Sequence, residues 1–121
     1  MRRKSASAGL VAAAAAVAGV ALAAPATAAP LDASGCNGLT EIVVIGPASG
    51  WTIAGHACAP EEEFTGHIQV IAPGLNRNGP DGFPAHFQVS GHGAGQACVI
   101  GWRLNSNGTY TKVGEPCETI S

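Results

Sequence analysis

The sequence predicts an all-β fold: a small disulfide-stabilised β-sandwich of about six antiparallel strands arranged as three hairpins. Three observations carry that expectation. Between Cys36 and Cys117, short runs rich in β-branched and aromatic residues alternate with Gly, Pro and Asn clusters. No stretch in that interval sustains a helical repeat, and four cysteines stand far apart in a short chain.

Residues 1–28 read as a secretion signal peptide. Arg2, Arg3 and Lys4 precede an alanine-rich apolar run over residues 10–24, and Ala26-Thr27-Ala28 supplies the small-x-small pattern that signal peptidase cuts after. A spanning helix needs roughly 20 apolar residues, more than this run offers. The residues after Arg2-Arg3 lack the apolar positions of a twin-arginine signal, which points to general secretion into the extracellular space. Residues 29–35 are then expected to form a short flexible N-terminal arm, and residues 36–121 one domain.

Export changes the charge balance. Three of the six basic residues lie in the first four positions, so three remain against eight acidic ones, a net of minus five with histidine neutral. Arg77, Arg103 and Lys112 are well separated, which argues against a nucleic-acid partner and against an anionic membrane surface. In an oxidising compartment an even cysteine count in a small chain reads as disulfides, whereas the absence of Cys-x-x-Cys spacing gives a zinc site no support.

Residues 40–45 and 51–57 read as a strand pair around Gly46-Pro47-Ala48-Ser49-Gly50. Residues 64–72 and 84–90 read as a second pair around a longer loop containing Asn78-Gly79-Pro80-Asp81-Gly82. Residues 97–104 and 109–113, extending toward Ile120, make a third around Asn107-Gly108, a dipeptide that tolerates positive φ. Cys98 and Cys117 lie equally far from that turn's centre. Cys36 and Cys58 lie one diagonal step from facing each other across Ala48. The expected bridges are therefore Cys36 with Cys58 and Cys98 with Cys117, each worth about 3 kcal/mol through restriction of the unfolded chain. A two-residue turn at Asn107-Gly108 would set Arg103 against Lys112, a like-charge pair that a longer loop or a bulge would relieve.

Alternation assigns faces. Cys98, Ile100, Trp102 and Leu104 share one side of their strand, the expected core side. The run 40–45 is apolar on nearly both sides, as a central strand would be. Gly66-His67-Ile68-Gln69-Val70 echoes Ala85-His86-Phe87-Gln88-Val89, so Ile68, Val70, Phe87 and Val89 should be buried together with His67, Gln69, His86 and Gln88 lining the other side.

Candidate chemistry is sparse. His67 and His86 on one sheet face, joined by His56 or His92, would be needed for a metal site, but no two histidines have ligand spacing within one element, and a solvent-facing polar stripe is the simpler reading. Ser90-Gly91-His92 lacks an acid to orient the imidazole, residues 91–95 lack the helix and lysine of a phosphate loop, and Glu61-Glu62-Glu63 reads as a solvated run. No catalytic residue, metal or cofactor is expected. Surfaces remain. The connector 73–84 carries Arg77, Asn78 and Phe83 and is either a docking element or an ordinary connector, while Trp51 either joins the core or anchors a partner.

Gly66-His67, Asn78-Gly79-Pro80, Cys98 with Trp102, and Tyr110 with Gly114-Glu115-Pro116-Cys117 carry a resemblance over most of residues 36–120. The chain resembles small secreted four-cysteine actinobacterial β-proteins, and within them is similar to the adaptor subunits of umbrella-shaped toxin particles, which join a lectin-like subunit to a large toxin-bearing one. The resemblance implies a non-catalytic protein-binding role toward a secreted partner. The alternative is a secreted inhibitor of an extracellular amylase or protease, presenting a rigid loop or a hairpin-borne Trp102-Arg103.

Overall fold

The computed structural model describes residues 32–121. The expected secretion signal and the first residues of the expected arm lie outside them. Nine strands run in chain order: β1 (Ala33–Asn37), β2 (Thr40–Ile45), β3 (Trp51–Ala57), β4 (Gly66–Ala72), β5 (Leu75–Asn78), β6 (Phe87–Gly91), β7 (Gly95–Leu104), β8 (Tyr110–Gly114) and β9 (Cys117–Ile120). One 3-10 turn, Pro60–Glu62, interrupts them.

All pairings are antiparallel and build two sheets. One has the order β1-β2-β3-β6; the other has the order β8-β7-β4-β5, with β9 continuing the β8 edge along the first half of β7. Strands β2 and β3 have the bounds the sequence predicts, and β2 is interior to its sheet as its two apolar faces require.

The inner faces meet in one core. Ile42, Val44, Trp51, Ile53 and Val89 project from the four-stranded sheet toward Ile68, Val70, Ala97, Val99 and Ile120 of the other, and Phe64 and Ala85 close the gap from the connections. Two glycines face the opposite sheet at short range. A Cβ on Gly55 would lie 2.5 Å from Ile68 Cγ2, and one on Gly101 would run into Thr40 Oγ1 and reach Phe64 Cζ at 3.0 Å. Thr40 is fully buried there, and its hydroxyl has no hydrogen-bond partner.

Both disulfides join the expected cysteines, Cys36–Cys58 and Cys98–Cys117. The second arises almost as the spacing suggests. The turn is longer than two residues: Asn105 and Thr109 still pair, with Gly108 at φ 86 closing a three-residue loop, and Arg103 faces Thr111 instead of Lys112. A bulge between Lys112 and Gly114 then restores the register that sets Cys117 opposite Cys98. The first bridge follows a different route. Cys36 belongs to an additional strand, β1, that turns back on β2 at Gly38 (φ 59), and the bridge runs from β1 to the residue just beyond β3. Residues 33–35, expected in a flexible arm, are the first half of that strand.

Two further expectations are corrected. The middle runs do not pair with each other: β4 pairs with β5 and β7, while β6 pairs with β3 in the opposite sheet. Their alternation survives, since Ile68, Val70 and Val89 are buried and Phe87 packs against the core. The core side of β7 is Ala97, Val99 and Gly101, so Trp102 lies on the outer face and is only half-buried. Small inward residues are what the close approach of the sheets demands, and the large ones turn outward.

Candidate functional site

The segment after β5 is braced along its whole length. Gly79 N–H donates to Ile68 O at 2.8 Å, Gly82 and Gly66 exchange N–H···O bonds of 2.8 and 3.0 Å, and Ala85 N–H donates to Phe64 O at 3.0 Å. Side chains add a second brace. The Asp81 carboxylate accepts from the Tyr110 hydroxyl at 2.6 Å and from His67 Nδ1 at 2.9 Å, and the His67 and Tyr110 rings meet edge to face with centroids 4.8 Å apart. A carboxylate only accepts, so Nδ1 carries the proton in this pair.

The electrostatics agree with that geometry. Donation by Tyr110 first, and by His67 second, holds the Asp81 carboxyl below its ordinary value, while the Asp81 acceptor raises the Tyr110 phenol above its own. Next to this triad, Trp102 Nε1 donates to Gln69 Oε1 and Gln69 Nε2 to Asn76 Oδ1, both at 2.9 Å. A polar network therefore crosses the outer face of the five-stranded sheet from β5 to β8.

What the brace holds out is Phe83, 66% exposed, in a domain whose other large apolar side chains mostly face inward. Beside it lies an open depression of about 430 Å³ walled by Leu39, Phe64 and Leu104 with Glu61, Glu62, Glu63 and Arg103 around it. Exposing an aromatic ring on a fixed loop forgoes its burial, about 1.5–3 kcal/mol for a fully buried Phe, which a folding role leaves unexplained.

The sequence-predicted site residues fare differently. Arg77 and Asn78 are exposed on the edge strand β5, and Phe83 stands on the braced loop that follows it, so the three occupy one stretch of surface chain. Trp51 does not join them. It is 2% exposed, its ring fills the space left by the missing side chain of Gly91, and its Nε1 donates to Gly93 O at 3.0 Å. The glycine-rich segment 91–95 is thus a seat for the Trp51 indole. Trp102 and Arg103 lie on the β7–β8 hairpin, near the end of β7, with Trp102 half-buried and Arg103 exposed.

His67 and His86, expected on one face, stand on different sheets: His67 is in β4, and His86 immediately precedes β6. Ser90 pairs its hydroxyl with Thr52 Oγ1 at 3.2 Å. The tightest group of metal-ligating types among the described residues is Cys98, Glu115 and Cys117, whose two sulfurs are already joined to each other. No helix among the described residues is long and apolar enough to cross a membrane.

Fold and site define a small disulfide-bonded all-β sandwich that presents one phenylalanine on a doubly braced loop. No protein-family model, curated protein or solved structure matches the chain.

Proposed function

We propose that this protein is a secreted, non-catalytic protein-binding module, an adaptor in an extracellular protein or toxin assembly of the kind its resemblance implies. The observation that carries this reading is the exposed Phe83 on a loop already fixed by four backbone hydrogen bonds and the Asp81 pair. Ordering costs are met before any partner arrives, so the ring's burial goes into binding, and a central aromatic anchor with a polar rim is the usual form of an interaction hot spot.

The surroundings narrow the partner's chemistry. Leu39, Phe64 and Leu104 beside Phe83 suit an apolar side chain, and Glu61, Glu62 and Glu63 suit basic residues flanking it. Tagged protein incubated with supernatant of the producing culture should retain one secreted protein stoichiometrically, and Phe83→Ala should release it. Retention unchanged by Phe83→Ala would refute the reading.

The same braced loop supports a second reading, inhibition of an extracellular hydrolase, with Phe83 entering the enzyme's cleft. Stoichiometric loss of amylase or protease activity in the supernatant, reversed by Phe83→Ala, would select it over the adaptor.

A further inference from the structure

The outer face of the four-stranded sheet carries two ligand-type residues side by side, with a third on the chain that enters its last strand. Glu41 on β2 pairs directly with His56 on β3, and the β3–β6 pairing ends at Gly55 with Phe87, so His86 is the residue just before that ladder begins and His56 the one just after Gly55. The ligand atoms of His56, His86 and Glu63 do not form a group within 4.8 Å of one another, so an ion is met by rotation of the exposed side chains. Glu41, His56 and His86 also line one open depression of about 290 Å³, with Glu63 entering it from the end of the 3-10 turn and Ala57, Pro60, Pro84 and Ala85 forming apolar walls.

The His56 ring is already set for such a role. Its Nδ1 lies 2.9 Å from Ala57 O, and a carbonyl only accepts, so Nδ1 donates and the neutral ring keeps its lone pair on Nε2. The Glu41 carboxylate stands 3.6 Å from the same Nδ1. A ring nitrogen tied to a backbone carbonyl beside a carboxylate is the arrangement that orients a metal-bound histidine and raises its basicity. His86 and Glu63 are exposed, so their side chains are free to rotate onto an ion without disturbing the core.

We propose that His56, His86 and Glu63 form a binding site for a divalent transition ion of the zinc type, with Glu41 as a positioning residue for His56. Two nitrogens and one carboxylate select zinc or copper over calcium, which takes six to eight oxygens, and leave a fourth position to water. The ion would tie the chain leaving the Phe83 loop to β3, from the side opposite to the Asp81 brace.

The test is equilibrium dialysis of the full protein against zinc chloride near neutral pH, read by elemental analysis and by titration calorimetry. One zinc per chain is expected. His56→Ala and His86→Ala should each weaken binding at least tenfold, Glu41→Gln should weaken it about 10-fold or more as a lost ring-orienting partner does, and His92→Ala should leave it unchanged. Excess calcium should not compete. The proposal is overturned if no zinc is retained, if binding survives both His56→Ala and His86→Ala, or if calcium displaces the ion; circular dichroism of the variants confirms that a loss reflects ligands and not unfolding.

Discussion

Gly101→Ala tests how closely the two sheets are pressed together. The added methyl would collide first with Thr40 Oγ1, then stand 3.0 Å from Phe64 Cζ and 3.2 Å from Val113 Cγ2, three groups belonging to three different elements. Overpacking of this kind costs about 1–3 kcal/mol. Replacing glycine within a strand returns about 0.5–1 kcal/mol of chain entropy, which against the middle of that overpacking range leaves a net loss of about 1 kcal/mol. For a domain this size that lowers the melting temperature by about 4–8 °C. Thr40→Ala alone should be nearly neutral, because losing a buried methyl, about 1 kcal/mol, is offset by removing a hydroxyl that has no partner, about 1–3 kcal/mol. Together the two should be less harmful than their sum by about 1 kcal/mol, since the nearest obstacle is gone. Urea unfolding of the four proteins with disulfides intact gives the cycle. Strict additivity, or a Gly101→Ala protein as stable as the parent, would refute the close approach.

Tyr110 is the single tyrosine, so absorbance near 295 nm reads its ionisation alone. Its midpoint should lie above the ordinary phenol value of about 10 and fall back toward it in Asp81→Ala. The bond to Asp81 is fully present below that ordinary value and is lost as pH rises through the raised one. On the acid side the Asp81 carboxylate is held below its usual range, so the brace is present above the ordinary carboxylate value and fails as pH falls through the depressed one, where loop amide protection should be lost. Cys98→Ser with Cys117→Ser should lower stability by about 3 kcal/mol in chemical denaturation, the loop-restriction value for a bridge spanning 19 residues. An unchanged denaturation midpoint would mean that the unfolded chain is not restrained by the bridge.

Much of the fold was legible because local pattern and turn chemistry agree. Strands β2 and β3 emerge from alternating apolar runs around a Gly-Pro turn, and the pairing of Cys98 with Cys117 follows from hairpin spacing even though a longer loop and a bulge both enter and cancel. What failed depends on long-range partners. The echo between residues 66–70 and 85–89 reports a shared alternation, and alternation says which side is buried without saying which strand lies alongside. Strand β1, Ala-Ser-Gly-Cys-Asn, has almost no β-propensity and is held by β2 and a disulfide. Trp102 lies outward because the side of β7 that faces the other sheet holds Ala97, Val99 and Gly101, where a single Cβ would already meet Thr40, although Ile100 on the Trp102 side is buried as well. At the site, Phe83 stood out as a loop aromatic, but Asp81, His67 and Tyr110 come from three distant segments and no spacing announces them.

The proposed binding role rests on Phe83 being an anchor and not an incidental exposed ring. A second exposed apolar side chain, Ile45 at 51%, lies on a different sheet and serves as the control. The deciding measurement is the binding isotherm of the captured partner with the parent protein, Phe83→Ala and Ile45→Ala. Loss of an interface hot spot costs at least about 2 kcal/mol, which is close to thirtyfold in affinity. Such a loss for Phe83→Ala with Ile45→Ala unchanged is the predicted result; equal affinities for all three proteins would contradict the account.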